Sequence, residues 1–323
     1  MPSPNSTFTE LVSTTFRKHR KELIDNVSNN NALLRRIMDK GQKRLEDGGL
    51  SIVTPLDYAQ NNTYQRYSGY DVLNVGASDV ISAAEFQWRQ IAINVTANGQ
   101  ELRTNSGDSR IVNLVKSRMK NAMRTFKNNF SSDIYSDGTL SNQINGLQAL
   151  VSDTGLGTVG GIDSSAWIFW KNIVQSAAAP LQGGGAIVVS ATTMESLMLQ
   201  LWLQLTRGDD QPDLIVMDNS YFSFYENSQI SLKRYTDETK ANGGFTSLKY
   251  KGADVIFDGG SGIPTAHAYF LNTDYIELVV HRDADMEIID EMRPYNQDAA
   301  VIPMLWMGNL CVSNRFLQGV QKA

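Results

Sequence analysis

The stretch DSRIVNLVKSRMKNAMRTFKNNF, residues 108–130, decides the fold, because the chain changes there from an extended pattern to a helical one. Apolar side chains recur in it at spacings of three and four, which is typical of a helix with one buried face. These side chains are Ile111, Val115, Met119, Ala122, Phe126 and Phe130. The pattern predicts a helix over about residues 108–131, roughly 35 Å long at about 1.5 Å per residue.

The preceding residues, 50–105, show almost no helical repeat and are rich in β-branched and aromatic side chains. We predict an outward strand that begins at residues 51–56 and continues at 64–75, and a return strand over 86–95 with alternating apolar side chains. A two-stranded hairpin of this length is marginally stable on its own in water. Its apolar and aromatic side chains therefore favour a chain that covers them with another copy of itself.

Composition is typical of a folded, soluble protein. The 323 residues are 41% hydrophobic and 20% charged, with a mean hydropathy of -0.28, and the length is enough for two subdomains. No apolar run approaches the roughly 18 residues of a membrane span, and the N-terminus lacks a signal-peptide pattern. The single cysteine, Cys311, excludes an intrachain disulfide and fits a reducing compartment. We expect a cytosolic protein with no membrane partner.

Charge is distributed unevenly along the chain, whose net charge is -5. Residues 1–49 hold nine basic and six acidic side chains, and residues 101–130 hold seven and two, whereas residues 131–323 hold eleven and 22. One interpretation is an ordinary solvated helix face. The other is a surface that attracts a polyanion in a salt-dependent way. Its candidate side chains are Arg17, Lys18, Arg20, Lys21, Arg110, Lys120, Arg124 and Lys127.

The flanking regions differ in pattern. We predict helices over residues 7–24 and 32–40 of an N-terminal arm that ends at the glycine pair 48–49. The last fifty residues predict strands, and we expect them to pair back onto the region of the long helix. These strands are at residues 275–280, 286–289 and 311–317.

Residues 138–266 alternate helical and strand patterns, as a compact α/β unit does. A buried strand is predicted at Leu214–Met217, followed by a helix with Asp218 as its cap. Further predictions are a helix through residues 164–173, a helix preceded by a capping box of Thr192 and Glu195, and strands at 246–258 and 267–272.

No motif in the chain predicts catalysis, a cofactor or a metal. His281-Arg282-Asp283 matches the start of a kinase catalytic loop, but Ile288 stands where the metal-binding Asn belongs. The glycines of residues 155–160 have dinucleotide-binding spacing without the strand and helix that the motif needs, so we predict a loop. A third pattern, on one face of a strand, could bind a hard cation, although the wet face of a half-exposed strand is the simpler interpretation. It consists of His281, Asp283, Asp285 and Glu287.

Several short blocks, taken in their order and spacing, resemble the major capsid proteins of tailed bacteriophages with the Hong Kong 97 fold. They extend over nearly the whole chain. The blocks are DGG (47–49), YSGYD (67–71), AAEF (83–86), NSG (105–107), IYSDGT (134–139), GIDSS (161–165) and NQD (296–298).

The resemblance implies an α+β fold of the Hong Kong 97 type. Its parts are an N-terminal arm at residues 1–48, an extended β-hairpin loop at 49–104, an α/β axial domain at 138–268, and a peripheral domain at 105–137 and 269–323 with the spine helix at about 108–131.

The resemblance also implies a structural function rather than an enzymatic one. Subunits of this family assemble as hexamers and pentamers into an icosahedral or prolate phage head around double-stranded DNA. Their extended loops lie over adjacent subunits, which implies subunit contacts through Tyr64, Tyr67, Tyr70, Phe86 and Trp88. Their arms and spine helices lie toward the interior, where the candidate basic side chains would face DNA.

The implied partners are other copies of the chain, a separate scaffold, a portal and decoration proteins, in a virion assembled in the cytoplasm of a bacterial host. Some relatives cross-link their shells through a lysine on the extended loop. This chain has no lysine between Lys43 and Lys116, so we expect no such cross-link. An encapsulin-type compartment shell and a soluble carboxylate enzyme remain as alternatives, and the acidic net charge disfavours a free nucleic-acid-binding protein.

Overall fold

The structure is a computed structural model that describes residues 31–104, 108–229, 247–258 and 262–323. In these ranges the α-helices are α1 (Ala32–Asp39), α2 (Gly99–Thr104), α3 (Asp108–Asp133), α4 (Leu147–Leu150), α5 (Met194–Leu205) and α6 (Asn219–Ser228). The strands are β1 (Lys43–Glu46), β2 (Ile52–Asp57), β3 (Ile81–Phe86), β4 (Arg89–Asn98), β5 (Thr158–Val159), β6 (Ile162–Asp163), β7 (Ile173–Ser176), β8 (Leu214–Met217), β9 (Ser247–Tyr250), β10 (Ala253–Phe257), β11 (His267–Leu271), β12 (Ile276–His281), β13 (Glu287–Ile288), β14 (Ala299–Val312) and β15 (Gly319–Lys322).

The long helix α3 packs on a five-stranded sheet centred on β14. Strand β14 pairs antiparallel with β4, β12 and β13, and β1 joins β12 in parallel. Phe126 and Phe130 stack on the buried face of the helix, and the ring of Phe130 meets Trp306 of β14 edge-on with centroids 4.9 Å apart. The helix lies where the apolar repeat predicts it, and Met119, Phe126 and Phe130 of that repeat are buried.

A second, six-stranded sheet has the strand order β7-β15-β11-β8-β10-β9. All four residues of β8 are fully buried, and the helix that follows begins at Asn219 with Asp218 as its cap, as predicted: the Asp218 side chain accepts a hydrogen bond from the backbone N–H of Tyr221. Leu197 and Leu201 of α5 are also fully buried, so a continuous apolar core lies between this helix and the sheet. The chain enters this sheet once more at its C-terminal end through β15.

The β2–β3 hairpin is the third unit and carries residues 58–80, which contain neither helix nor strand. The predicted outward strand therefore ends at Asp57, and the prediction for residues 64–75 is wrong. The predicted return strand divides into β3, which pairs with β2, and β4, which pairs with β14. The second half of the return strand, β4, pairs with β14 over ten residues. No local pattern encodes that long-range pairing.

Two predictions in the α/β region are wrong. Residues 164–173 form a 3₁₀ turn at Ile168–Trp170 and then enter β7, because β7 pairs in parallel with the distant β15. The capping box also fails. Helix α5 begins at Met194 after Thr193, and the Thr193 hydroxyl accepts a hydrogen bond from the Ser190 N–H instead of capping the helix.

Two predictions in the last fifty residues are also wrong. The strand predicted at 311–317 ends at Val312, because β14 begins at Ala299 and uses most of its length to pair with β4. His281, Asp283, Asp285 and Glu287 do not share one strand face: residues 282–284 form a 3₁₀ turn, and Met286 has a positive φ of 57°. Local turns thus separate side chains that simple alternation would align.

Candidate assembly and nucleic-acid surfaces

Residues 58–80, which we call the extended segment, fold back on themselves at a turn. The N–H of Asp71 donates to the carbonyl of Ser68 at 3.2 Å, and the Asp71 carboxylate accepts from the Ser68 N–H at 2.8 Å. One backbone hydrogen bond, from the N–H of Tyr58 to the carbonyl of Val80 at 3.0 Å, joins the two legs at their base, and beyond it the legs are joined by side chains. Gln65 donates its amide to the carbonyl of Val72 at 3.0 Å. This arrangement leaves much of the backbone of the segment open.

The apolar side chains of the extended segment face solvent. Tyr70, Val72 and Val75 are 105%, 92% and 91% exposed, and Tyr64 and Tyr67 are also exposed. Large apolar side chains concentrated in this way are typical of an interaction surface. The three predicted contact tyrosines are therefore accessible. Val72 and Val75 belong to the same surface but are not among the predicted contact residues. Both are β-branched and uncharged, and this pattern in the sequence could have identified them.

The other two predicted contact residues pack inside their own chain. Phe86 is only 1% exposed, so little of its side chain is left for a neighbour. Trp88 donates its indole N–H to the carbonyl of Gly49 at 3.0 Å, and its ring meets the His281 ring edge-on with centroids 5.7 Å apart. These contacts close the root of the hairpin against the five-stranded sheet.

The glycine-rich stretch that resembles a nucleotide loop instead supports the hairpin. It forms the short β5–β6 hairpin, and the carbonyl of Gly160 accepts a hydrogen bond from the N–H of Glu85 in β3 at 2.9 Å. A Cβ at Gly160 would lie 2.8 Å from the Cβ of Ala84 and 3.1 Å from Cζ of Phe86. The absence of a side chain is what allows the two hairpins to touch.

The arm is held to the six-stranded sheet by charge. Arg36 of α1 pairs with Asp213 at 2.9 Å, and Lys40 pairs with Asp213 at 3.1 Å and with Asp274 at 2.7 Å. Burial by itself would raise the pKa of Asp213. Hydrogen bonds from the N–H and hydroxyl of Thr273 and from Arg36 outweigh burial, so the pKa lies below its usual value. The carboxylate stays ionised and anchors the helix.

Three basic side chains of α3 form one exposed stripe. Lys120 and Arg124 are exposed and Lys127 is half-buried, at helical spacings of four and three. None of the three has an ion-pair partner within the described residues. Arg118 behaves differently, because it binds the carboxylate of Glu101 at 2.7 Å. Hence only part of the basic charge counted in the sequence is free.

The remaining predicted basic residues are not tested by the structure. Arg110 lies in α3, but its side chain is outside the described part of the structure. Arg17, Lys18, Arg20 and Lys21 lie outside the described residues altogether.

A half-buried ion pair joins the loop after α4 to the six-stranded sheet. His267 Nε2 lies 3.0 Å from a carboxylate oxygen of Asp153, and its Nδ1 lies 2.7 Å from the carbonyl of Thr265. Both ring nitrogens therefore face acceptors, which favours the doubly protonated imidazolium. Burial lowers the pKa of His267, but these hydrogen bonds outweigh it and the pKa is raised overall. The same pair lowers the pKa of Asp153.

No group of three or more His, Cys, Asp or Glu side chains that could hold a metal ion occurs among the described residues. In the same ranges, no helix combines the length and apolarity that crossing a membrane requires.

Comparison with known proteins identifies the fold. No family model matches the sequence, and no curated protein does. Solved structures do match: the capsid asymmetric unit of cyanophage A-1(L) is 16% identical with a TM-score of 0.63, over 87% of this chain and 90% of that one. The capsid of an empty GTA particle is 15% identical with a TM-score of 0.52, over 90% and 89%. The procapsid of satellite phage P4, which includes a size determination (Sid) protein, is 8% identical with a TM-score of 0.51, over 94% and 90%.

These likenesses extend over nearly the whole of each chain. The protein therefore has the mixed helix-and-sheet fold of Hong Kong 97-type capsid subunits, as the sequence resemblance implied.

Proposed function

We propose that this chain, folded as a Hong Kong 97-type subunit, is the structural protein of a tailed-phage head and assembles as hexamers and pentamers into a shell around double-stranded DNA. The observation that carries the proposal is the extended segment, whose tyrosines and valines are exposed and whose legs are joined mainly by side chains between its base and its turn. A segment of this kind gains stability when a neighbouring copy covers it. Tyr64, Tyr67 and Tyr70 are the proposed contact side chains.

The proposed parts of the subunit follow the fold. The arm at residues 1–48 contributes β1 to the five-stranded sheet, which supports a peripheral domain built from 105–137 and the last fifty residues. The axial domain at 138–268 contains most of the six-stranded sheet. Because β15 pairs in that sheet as well, we place residues 319–322 with it.

The stripe of Lys120, Arg124 and Lys127 is the proposed DNA-facing surface. Unpaired lysine and arginine side chains attract phosphate without reading sequence, and the attraction weakens with salt. An unspecific contact of this kind suits a shell that encloses any packaged DNA. We include five further basic residues in this proposal on the basis of the sequence alone: Arg17, Lys18, Arg20, Lys21 and Arg110.

Scaffold, portal and decoration proteins are the proposed further partners, with assembly in the host cytoplasm and residence in the virion. The similar procapsid of satellite phage P4 contains a size determination protein, which supports a proposal that accessory proteins guide this shell too. We propose no catalytic role for the chain.

Sedimentation of the expressed chain, followed by negative-stain imaging of the fast fraction, tests the proposal. Closed shells or capsomer rings are the expected result, alone or with the scaffold encoded beside it. A chain that stays monomeric in both conditions contradicts it. Shells that hold DNA support the phage head, whereas shells that hold a cargo protein and no nucleic acid point to a compartment shell. Mature particles should run as single chains on denaturing gels, because the extended loop has no lysine.

A further inference from the structure

Strand β4 has one edge that no described strand pairs with. It joins the five-stranded sheet only through β14. The backbone of β14 shows which groups of β4 point outward: Pro303 accepts a hydrogen bond from Ile289, and Val301 exchanges hydrogen bonds with Met292, both on the side of β14 away from β4. Their register partners in β4, Asn94 and Thr96, must therefore point their own N–H and C=O groups away from β14.

One end of this edge is closed by side chains, and the rest is open. The carbonyl of Thr96 accepts from the Arg118 guanidinium at 2.6 Å, and the N–H of Asn98 donates to Glu101 at 3.2 Å. The outward groups of Gln90, Ala92 and Asn94 have no partner in the described part of the chain.

The open edge also lacks the usual protection. Between Gln90 and Gln100 the sequence has no charged residue and no proline. Proteins normally blunt an exposed edge strand with one of these, since an open row of N–H and C=O groups pairs readily with another strand.

The extended segment contains a second open edge. Along residues 72–77 the even positions are satisfied by side chains: Val72 accepts from Gln65, Asn74 donates to Gln65, and Gly76 donates to the side chain of Asn74. The alternate positions have no backbone partner among the described residues. These positions are Leu73, Val75 and Ala77.

We propose that residues 73–77 of one copy add as a strand to the edge of β4 at residues 90–94 of another copy. Each edge offers three alternate residues with open backbone groups, and neither carries a charge that pairing would have to desolvate. If these residues are matched end to end in an antiparallel pair, Val75 lies opposite Ala92 and the two exchange backbone hydrogen bonds. This pairing names the surface that receives the extended segment, and it rests on the proposed shell function.

A contact within one chain is disfavoured by the direction of the hairpin. The extended segment begins beyond Asp57 and Ile81, at the far end of the β2–β3 ladder, whereas β4 begins just after Phe86 at its root. The ladder has six residue pairs, so its two ends lie about 17 Å apart at about 3.3 Å per residue. A second copy has no such constraint.

The first test removes one outward N–H. The variant Ala92→Pro keeps the ladder to β14, because the Ala92 N–H points away from that strand, and proline is tolerated at such edge positions. The variant Ala92→Ser keeps the N–H and is the matched control. We expect Ala92→Pro to lose the shell fraction while circular dichroism stays that of the folded chain, and Ala92→Ser to assemble like the wild type. Assembly of Ala92→Pro at the wild-type level overturns the proposal.

The second test covers the case in which Ala92→Pro does not fold. Shells of the double variant Val75→Cys with Ala92→Cys are oxidised with copper phenanthroline and run on non-reducing denaturing gels. We expect a ladder of linked chains, because directly opposed strand residues lie close enough for a disulfide. The control pairs Val75→Cys with Leu140→Cys, at an exposed residue outside both edges, and should stay monomeric on the gel. The native Cys311 is buried and common to both.

The outcomes separate the two proposals. Wild-type particles that form while neither variant responds leave the shell function standing and reject the strand pairing. A wild type that never assembles rejects the shell function, and the pairing falls with it. A disulfide within one chain, seen as a shift of the monomer band without a ladder, rejects pairing with a second copy and shows that the segment reaches its own β4.

Discussion

Strand β8 and the extended segment represent opposite ways of using apolar residues. The four residues of β8 are Leu, Ile, Val and Met, and all are fully buried: Ile215 and Met217 pack with α5 and α6, and Leu214 and Val216 pack in the core on the opposite face of the sheet. The extended segment is also rich in apolar residues, yet Tyr70, Val72 and Val75 are almost completely exposed. The first region obtains its burial inside one chain. No described residue buries the second region, and in the proposed shell a neighbouring chain covers it, so stability and assembly should depend on different residues.

The largest expected effect comes from the buried side of this contrast. Phe270→Ala removes a fully buried ring from the six-stranded sheet and should lower the free energy of unfolding of the unassembled chain by about 3–5 kcal/mol. Val72→Ala, at a 92% exposed side chain, should change that free energy by less than about 0.5 kcal/mol and yet reduce the shell fraction. Urea titration and sedimentation measure the two effects. If Val72→Ala lost as much stability as Phe270→Ala, the contrast would be wrong.

The same contrast explains what the sequence could predict. Helix α3 and strand β8 are set by local patterns, a long apolar repeat and a short apolar run, and both lie where expected. Residues 164–173 have an equally suggestive spacing of aromatic side chains, but their end pairs with β15, about 150 residues later in the chain. Pairing over that distance leaves no local signal.

The candidate surfaces follow a similar division. The exposed tyrosines and the stripe of Lys120, Arg124 and Lys127 could be named from composition and helical spacing. The burial of Phe86 and the pairing of Arg118 with Glu101 could not. Both depend on tertiary packing: Phe86 lies beside Gly160, and Glu101 comes from a separate short helix.

An intermediate effect is expected where the β5–β6 hairpin contacts β3, in the hairpin that carries the extended segment. Gly160 has a φ of +58°, and an added Cβ would lie 2.8 Å from the Cβ of Ala84. Gly160→Ala should therefore destabilise the chain by about 1–3 kcal/mol through overpacking, in addition to the cost of a positive φ. Gly161→Ala is the matched control, since its φ is +76° and nothing lies within 4 Å of its Cβ. Chemical denaturation should show a much lower free energy of unfolding for Gly160→Ala than for Gly161→Ala. Equal losses of stability in the two variants would contradict close packing between the two hairpins at Gly160.

A smaller effect should appear as a dependence on pH. His267 has a raised pKa relative to its ordinary 6.5, so the stability that it contributes is complete below about pH 6.5 and is lost as the pH rises through its folded value. Asp153 has a lowered pKa relative to 3.8, so its contribution is complete above about pH 3.8 and is lost as the pH falls through its folded value. Lys322 lies near the pair, and its charge opposes protonation of His267.

The variant His267→Gln isolates this contribution. The difference in melting temperature between the unassembled wild type and this variant should shrink from about pH 5.5 to about pH 8.5. The extended segment contains no histidine, so shell contacts through it should not follow the same curve. A difference that stays constant across this range would show that the ion pair is not what the imidazole contributes.

The smallest effect on stability is expected at the basic stripe of α3, which forms no ion pair with the part of the chain that the structure describes. Replacing Lys120, Arg124 and Lys127 with alanine should change the free energy of unfolding by no more than about 0.5 kcal/mol per site. If the stripe faces DNA, the salt dependence of DNA retention should nevertheless fall by about 0.9 in slope for each phosphate contact removed. A control with the same change in net charge replaces Lys171, Lys249 and Lys251, three exposed lysines away from α3. Because net charge is matched, equal loss of DNA from both triple variants would mean that total charge and not this helix face holds the nucleic acid. Loss from the α3 variant alone would place a third kind of surface beside the buried core and the extended segment: one that contributes to neither folding nor shell contacts and acts only on what the shell encloses.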